Sequence, residues 1–461
     1  MSAPDLTAEM MRNFRGSGAE KFTTILLGAG ASTSSGLPDW DEFAARLLVT
    51  SGSVTTSEAA RVLVAHQDPL LVAEAAHAAA GDRWNRVLQR SLYEGVETLD
   101  PSPLHLAAAG HLLTGDPADS RLVTLNFDVL LEQAIEMDGG RAQARVDGET
   151  TDSAYEVHHL HGIITPSKAE QVVLRLTDFT DLLSSAHSWQ LDYLQESIDK
   201  GALVIAGTSY RDPDLRQWLQ AILPGRPDGH AAVVLLARQG FSLTKDQFQA
   251  VQHALVSQWE AIGMRPVLLE DHADAAQIIR ELRHVNTPGY VAPQERARTI
   301  WRSHTDRFLR LQTEYADLLA GDADVLRDAL ATERMNLTLW LADGEGNLAR
   351  WATQDRYYRG VTDLRMVETG HDSRWIAGKA LASEEILFQD IEGGSTGRWR
   401  SVLALPIPVG HPTWPTMVTG VVSIGLPEHA GDYEDSKFLW GDALLTLGDN
   451  WGRRLVDATS W

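Results

Sequence analysis

The chain of 461 residues contains no cysteine. Disulfide bonds, thiolate nucleophiles and zinc sites built from cysteine are therefore all excluded. Long apolar runs are missing too, because no stretch of the sequence reaches the roughly 18 residues that a membrane-spanning helix needs. Residues 1–20 lack the charged-then-apolar order of a signal peptide, so we expect a cytoplasmic protein with no membrane partner.

Basic residues are scarce as well: 40 lysines and arginines stand against 63 aspartates and glutamates, which gives a formal net charge of −23. An acidic surface repels the phosphate backbone of nucleic acids, so we expect no direct nucleic-acid partner. The chain is longer than a domain with a single hydrophobic core usually is, and this length predicts two domains.

The most informative segment is a glycine-rich turn that directly follows the apolar run 24–27. Small residues after a buried strand let backbone N–H groups approach a phosphate closely, and the start of the next helix adds a partial positive charge. A second rigid turn, Gly-Leu-Pro-Asp, follows shortly afterwards. The alternative is a tight strand-to-helix connection without a ligand. The residues of the expected nucleotide site in these turns are Gly28, Ala29, Gly30, Ser32, Gly36, Pro38 and Asp39.

Three later segments share one form, an apolar strand that runs into polar or small residues. They are 122–128, with Thr124-x-Asn126-x-Asp128; 155–162, which ends in His161-Gly162; and 204–209, which ends in Gly207-Thr208-Ser209 and precedes Asp212. Ligands of open α/β sheets bind at the carboxyl ends of the strands, which is where these residues would lie.

Short apolar runs alternate with helical stretches between residues 21 and 285. The runs are rich in Val, Leu and Ile without strict alternation, as is typical of strands buried on both faces. We therefore predict a doubly wound, parallel, Rossmann-like α/β sheet in this region. The predicted strands are 22–27, 121–125, 157–160, 171–174, 202–206, 231–236 and 265–269.

In their order along the chain, the four motifs resemble the catalytic core of the sirtuin family. That pattern runs G-A-G-x-S…G-x-P-D, then T-x-N-x-D, then H-G, then a second strand and turn for the adenosine half of NAD. The resemblance covers residues 21–283 and implies NAD as the ligand. It assigns NAD contacts to the glycine-rich turns and to Thr124, Gly207, Thr208, Ser209 and Asp212.

The sequence also departs from the protein-deacylating sirtuins. It cannot build their four-cysteine zinc module, Leu125 stands where they usually carry Gln, and Trp40-Asp41 replaces their Phe-Arg. In these respects it looks like the divergent bacterial sirtuin-like proteins, which hydrolyse NAD and deplete it in defence against phage. The resemblance implies an NAD glycohydrolase. The alternatives are a non-catalytic NAD or ADP-ribose binding module used in signalling and, less favoured without cysteines, a protein deacylase or ADP-ribosyltransferase.

The catalytic residues expected for nicotinamide release are Asn126, Asp128 and His161. Asn126 and Asp128 alternate at one strand end, so both point to the same side and can orient the ribose and nicotinamide. His161 suits the role of base because the pKa of histidine lies near neutrality. Helix capping is the alternative for Asn126 and Asp128. A His158-x-x-His161 metal pair lacks a third ligand nearby, so we expect no metal, and His158 and His159 are expected to be ordinary strand or surface residues.

A second region follows a turn-rich break at 286–289. The sequence predicts a long amphipathic helix over 294–319, strands over 336–342, 348–353, 401–408 and 416–425, and a closing helix over 433–455. The segments 375–380, 401–408 and 420–424 resemble a GAF domain, a small α+β module that senses small ligands. Five tryptophans are expected either to line a ligand cup or to fill a core, namely Trp340, Trp351, Trp375, Trp399 and Trp414.

The expected organisation is an N-terminal arm or helix (1–20), a sirtuin-like catalytic domain (21–285), a linker with a long helix (286–324) and a GAF-like sensor or oligomerisation domain (325–461). We expect homo-oligomers that use the two long helices. A small-molecule or protein activator is expected at the GAF-like domain. A passive dimerisation module is the alternative for that domain.

Overall fold

The computed structural model describes residues 6–12, 14, 22–96, 99–149, 155–184, 188–208, 213–223, 232–391 and 398–461. The chain divides into two compact units, Phe14–Arg283 and a second unit formed by Met1–Asn13 with His284–Trp461. The helices of the described residues include none that is long and apolar enough to cross a membrane.

The unit Phe14–Arg283 is built on a parallel sheet of seven strands. In chain order the strands of this unit are β1 (Thr23–Leu27), β2 (Ser120–Thr124), β3 (Ala142–Arg145), β4 (Tyr155–His159), β5 (Ile163–Ile164), β6 (Ala169–Glu170), β7 (Ala202–Ala206), β8 (Ala232–Ala237) and β9 (Arg265–Leu269). The order across the sheet is β3-β4-β2-β1-β7-β8-β9, and β5 pairs with β6 in a separate small hairpin. The predicted doubly wound parallel sheet is thus confirmed.

Helices follow most of these strands, as expected for parallel connections. After the short α1 (Ala8–Arg12) of the other unit, they are α2 (Ala29–Thr33), α3 (Trp40–Ser51), α4 (Ser57–His66), α5 (Pro69–Ala80), α6 (Trp84–Tyr93), α7 (Pro103–Leu113), α8 (Leu130–Met137), α9 (Leu176–Ser184), α10 (Trp189–Lys200), α11 (Pro213–Ile222), α12 (Lys245–Glu260) and α13 (His272–Glu281). Local signals set several starts: the Asp39 carboxylate, for example, accepts the N–H of Glu42 and caps α3.

The central strand β1 positions the candidate site. All five of its residues are buried, and it pairs in parallel with β2 on one side and β7 on the other. Leu27 lies in register with Thr124 and with Ala206, so the three strands end at one level. The chain order reverses across β1, and ligands of doubly wound sheets bind at such a switch point.

One strand prediction in this unit was wrong, and one edge strand was missed. Residues 171–174 are irregular and lead into α9, with the N–H of Val173 bonded to the carbonyl of His161 instead of to a strand. The edge strand β3 was missed because its sequence, Ala-Gln-Ala-Arg, is only half-buried and forms no apolar run. The first error has a different cause, because the apolar run 171–174 supplies a core residue, Leu174, without forming a strand.

The second unit carries an antiparallel sheet of six strands. They are β10 (Asn336–Ala342), β11 (Asn347–Thr353), β12 (Met366–Glu368), β13 (Leu387–Asp390), β14 (Ser401–Val409) and β15 (Met417–Leu426), in the order β12-β11-β10-β15-β14-β13. The helices are α14 (Pro293–Thr305), α15 (Phe308–Ala329), α16 (Ile376–Ser383) and α17 (Lys437–Asp457). Residues of α15 and α17 share a core with one face of the sheet, and those of α16 share a core with the other.

The single long helix predicted over 294–319 was wrong, because the structure has two helices. Arg307, with φ of −115° and ψ of 23°, departs from helical geometry between them. The hydroxyl of Thr305 donates to the carbonyl of Arg302, and such local bonds compete with a continuing helix. The amphipathic pattern continues across this break, so periodicity alone did not reveal it.

The five tryptophans singled out in this region do not line one cup. Trp351 is fully buried in the core shared with α15 and α17. Trp340 and Trp375 pack together in the other core, against α16, with their ring centroids 5.9 Å apart. Trp399 lies against Gly425, and Trp414 contacts the ring of Tyr290. For Trp351 and Trp340, filling of a core is therefore the better reading.

Candidate functional site

A pocket opens at the carboxyl ends of β1 and β2, in the unit Phe14–Arg283. It is lined by Ala29, Ser32, Leu37, Pro38, Asp39, Trp40, Phe43, Leu92, Leu125, Asn126, Phe127, Asp128 and His161. Its volume is about 60 Å³, well below the roughly 300 Å³ or more of typical cofactor sites.

The glycine-rich turn after β1 is clamped to the turn after β7. Gly28 donates its N–H to the carbonyl of Ala206 at 2.9 Å, and Gly30 donates to that of Gly207 at 2.8 Å. A Cβ on Gly28 would lie only 2.8 Å from the Gly207 oxygen, and Gly207 itself has a φ of +71°. Glycine is thus required here for the close approach of two backbones, in addition to any approach of a ligand.

Ser32, Asn126 and Asp128 form one buried polar network. The Asn126 side chain donates from Nδ2 to the Gly28 carbonyl at 3.0 Å and to Ser32 Oγ at 2.7 Å. Ser32 Oγ in turn donates to Asp128 Oδ2 at 2.7 Å. Asp128 Oδ1 accepts the N–H of Leu130, the first residue of α8, which accounts for one of its two oxygens. Asn126 Oδ1 makes no hydrogen bond within the described part of the chain, which leaves it as an acceptor in the wall of the pocket.

His161 lies on the same pocket and is only 4 % exposed. Its Nδ1 is 3.2 Å from the carbonyl of Leu125. A carbonyl can only accept, so Nδ1 carries a proton and the neutral ring keeps its lone pair on Nε2. Three aromatic rings surround the imidazole, with centroids 5.8–6.3 Å away, namely Phe127, Phe179 and Trp218.

Of the other residues predicted for the nucleotide site, some line the pocket and some do not. Ala29, Pro38 and Asp39 line the pocket. Thr124 does not, because its hydroxyl donates to the Leu27 carbonyl and accepts the N–H of Asn126, which ties the ends of β1 and β2 together. Gly36 forms the second turn with a φ of +90°. Thr208 is buried beside Gly28, whereas Ser209 and Asp212 lie outside the described residues.

Sequence reasoning missed an aromatic wall of this pocket. Trp40, Phe43 and Phe127 pack together, with ring centroids 6.0–6.5 Å apart. A further neighbour of the glycine-rich turn is His272, at the start of α13, whose Cε1 lies 2.8 Å from where a Cβ of Gly30 would be. A signal for some of them was available, because Phe127 lies within a motif and Trp40 directly follows Asp39.

The two other histidines of the motif differ sharply from each other. His158 packs on the ring of Tyr193 at 4.2 Å, and burial, together with Arg121 and Arg145, lowers its pKa to about 3. His159 is fully buried, with Nε2 2.7 Å from Glu132 Oε1 and Nδ1 3.1 Å from the carbonyl of Asn126. Burial alone would lower its pKa, but the charge and hydrogen bond of Glu132 and the Asn126 carbonyl raise it above the ordinary value.

His159 is a strand residue of β4, as expected, but its contacts with Glu132 and the Asn126 carbonyl were not predicted. His158 is a strand residue, as expected, although it is buried. Within the described ranges no three His, Asp or Glu side chains are grouped so that they could hold a metal ion.

The comparisons with known proteins agree with this geometry. A family model described as a SIR2-like domain matches residues 120–267, a range that includes Asn126, Asp128 and His161. A SIR2-like domain indicates an NAD-dependent activity in general. No curated protein matches the chain.

Solved structures resemble each part of the chain at low identity. A Sir2 enzyme, solved in a study of Sir2 mechanism and regulation, is 12% identical, covers 61% of this chain and 100% of its own, and has a TM-score of 0.34. The GAF domain region of a Geobacter sulfurreducens PCA protein is 21% identical over 33% of this chain and 95% of its own, with a TM-score of 0.23. A GAF sensor protein from Burkholderia vietnamiensis is 15% identical over 34% and 91%, with a TM-score of 0.21.

Proposed function

We propose that this protein is an NAD glycohydrolase, which cleaves NAD to nicotinamide and ADP-ribose. The observation that carries the proposal is the convergence of Asn126, held by Ser32 and Asp128, with His161 on one pocket of a SIR2-like domain. A binding module would need contacts with the ligand, but it would have no use for a base beside the nicotinamide ribose.

The reaction breaks the bond between C1′ of the ribose and the nicotinamide nitrogen. The electron pair of that bond leaves with nicotinamide, which departs neutral, so a strong general acid is not needed. An oxocarbenium-like charge develops on the ribose, and the oxygen Oδ1 of Asn126 is available to orient a ribose hydroxyl or stabilise this charge. Water then forms the new C1′–O bond, and its proton passes to Nε2 of His161 and on to solvent.

Asp128 acts in this scheme as a positioning residue. Both of its oxygens are occupied within the protein, one by Ser32 Oγ and one by the N–H of Leu130. Its carboxylate therefore orients Ser32, which in turn fixes the amide of Asn126. The negative charge still lies beside the pocket, where it favours a developing cation.

The pocket also favours water over a bulky acceptor. Phe127, Phe179 and Trp218 enclose His161, and Leu125 is buried in the neighbouring apolar core. Without a cysteine zinc module, the chain also lacks the part with which the deacylating sirtuins are equipped. We therefore propose hydrolysis in preference to acyl transfer from lysine.

The proposed biological role is depletion of NAD in bacterial defence against phage, under control of the second unit. A constitutive NAD hydrolase would harm its own host, so catalysis by residues 21–285 has to be restrained. The GAF-like region, 325–461, is the proposed receiver of a small-molecule or protein activator, and the proposed active form is a homo-oligomer.

Incubation of the pure protein with NAD, with chromatography of the products, tests the activity. Release of nicotinamide together with ADP-ribose is expected without any acylated peptide. Tight binding of NAD or ADP-ribose without turnover would instead favour the signalling module. Turnover that requires an acetyl-lysine peptide and yields O-acetylated ADP-ribose would show a deacylase.

A further inference from the structure

The segment that carries Asn126 lies just beyond the end of β2, and its carbonyls are all bonded on one side. β2 ends at Thr124, and the next three carbonyls all accept from the segment 159–164. The Leu125 carbonyl faces Nδ1 of His161 at 3.2 Å, that of Asn126 faces Nδ1 of His159 at 3.1 Å, and that of Phe127 accepts the N–H of Ile164 at 2.7 Å. Two of the three donors are therefore histidine side chains.

His159 differs from His161 in what its second nitrogen meets. Its Nε2 lies 2.7 Å from a carboxylate oxygen of Glu132, on α8. A carbonyl and a carboxylate both only accept, so both ring nitrogens of His159 donate and the ring is an imidazolium. The charged groups that face it are Glu132 from α8 and Asp128 from the β2–α8 connection, and His158 is its neighbour on β4.

The charge explains why the ring keeps both donors. A neutral imidazole has a single N–H, and the carboxylate of Glu132 would compete with the Asn126 carbonyl for it. The imidazolium has two N–H groups and donates to the Asn126 carbonyl and to the Glu132 carboxylate at the same time. Since the ring is fully buried, Glu132 is what makes this charge tolerable.

We propose that His159, clamped by Glu132, is a positioning residue that fixes the main chain at Asn126 for the cleavage of NAD. This inference rests on the function proposed above. His159 does not touch the pocket itself. It acts through the peptide of Asn126, whose side chain is held independently by Gly28 and Ser32. Small displacements of a group that contacts substrate cost up to about a hundredfold in rate.

Two substitutions separate this role from a merely structural ion pair. In His159→Asn the amide nitrogen replaces Nδ1, so a donor to the Asn126 carbonyl remains while the contact with Glu132 is lost. In His159→Gln the amide nitrogen replaces Nε2, so the contact with Glu132 remains while the donor to Asn126 is lost. His158→Gln is the matched control, because His158 is equally buried on the same strand but packs on Tyr193 instead.

The variants are compared in the full-length protein by steady-state kinetics with NAD and by hydrogen exchange of peptides that span residues 122–132. We expect His159→Gln to lower kcat about tenfold to a hundredfold with little change in KM, and to speed exchange in this segment. His159→Asn should retain most of kcat, and His158→Gln should leave both kinetics and exchange near the parent values.

Three results would overturn the proposal: equal kcat in His159→Gln and the parent, a greater loss in His159→Asn than in His159→Gln, or unchanged exchange in His159→Gln. A parent protein that releases no nicotinamide would refute the proposed function instead, and the exchange comparison would still decide whether His159 fixes this segment. If both substitutions prevent folding, Glu132→Gln, which keeps the shape of the side chain, takes their place, with slower turnover and faster exchange expected.

Discussion

At the scale of single residues, the site is a set of side chains that hold one another. Asn126 is fixed through its amide by Gly28 and Ser32, and through its peptide by His159. Asp128 orients Ser32. The sequence alone could predict Asn126, Asp128 and His161 as a group, because their spacing follows strand ends. It could not predict His159 and Glu132, since their pairing depends on how α8 packs against β4.

His161→Ala and Asn126→Ala should each lower nicotinamide release by a factor of about 10² to 10⁴. The first loses the proposed base and the second the proposed acceptor in the pocket wall. Initial rates with NAD, together with melting temperatures near that of the parent, check this. His158→Ala is the control and should keep most of the rate. Full activity in both site variants would remove the proposed roles.

Ser32→Ala should lower kcat more than it raises KM. Ser32 links Asn126 Nδ2 to Asp128 Oδ2 through two bonds of 2.7 Å, so its loss leaves the amide of Asn126 held by the Gly28 carbonyl alone. We expect an effect smaller than that of Asn126→Ala in the same kinetic assay. A loss as large as that of Asn126→Ala would show that Ser32 itself acts on the substrate.

The ion pair of His159 and Glu132 makes stability depend on pH. The pKa of His159 is raised in the folded state from its ordinary 6.5. Its contribution is therefore complete below about pH 6.5 and is lost as the pH rises through the folded pKa. His158, whose pKa is lowered to about 3, contributes with the opposite sign, but it is common to the parent and Glu132→Gln.

Denaturant unfolding of the parent and of Glu132→Gln at several pH values isolates the contribution of His159. The parent should be the more stable protein at about pH 6, and the difference should shrink towards alkaline pH. A difference that grew with pH would contradict the assignment of an imidazolium at His159.

At the scale of elements, most of the parallel sheet could be predicted because its central strands are apolar and buried on both faces. The strands β1 and β7, buried along their whole length, are examples. The edge strand β3 could not be predicted, because its sequence, Ala-Gln-Ala-Arg, is only half-buried and lacks this signal, whereas the apolar residues of the other edge strand, β9, revealed it. The break between α14 and α15 was not predicted for a different reason, because the apolar stripe continues on both sides of it.

The contact between the turns after β1 and β7 gives a prediction at this scale. Gly28→Ala should destabilise the protein by about 1–3 kcal/mol, because the new Cβ would lie 2.8 Å from the Gly207 oxygen. Gly110→Ala is the control, since Gly110 lies in α7 and, apart from its chain neighbours and the local helix backbone, nothing lies within 4 Å of its Cβ position. The control should be neutral or stabilising in thermal or denaturant unfolding, and equal effects of the two changes would contradict the argument.

At the scale of the whole molecule, two compact units of different architecture share one chain. The fold class of both could be predicted, because parallel and antiparallel sheets leave different patterns in the sequence. Whether the tryptophans line a ligand cup or fill a core could not be predicted, because tryptophan is common in both settings. The described part of the second unit shows most of them in cores.

Removal of His284–Trp461, the larger part of the second unit, tests its proposed control over catalysis. A fragment that ends at Arg283 should be monomeric, and it should be either deregulated or inactive, whereas the full chain should form homo-oligomers. Light scattering and NAD turnover of the two proteins check this. A fragment with the oligomeric state and the rate of the parent would show that the second unit is not a switch. If the fragment differs from the full chain in oligomeric state but not in rate, the second unit is a passive dimerisation module.

The most direct test of the central claim is the product analysis of the full-length protein with NAD alone. We expect equal amounts of nicotinamide and ADP-ribose, released without an acylated peptide and greatly reduced in His161→Ala. NAD that is recovered intact under activating as well as resting conditions, or turnover that persists unchanged in His161→Ala, would contradict it.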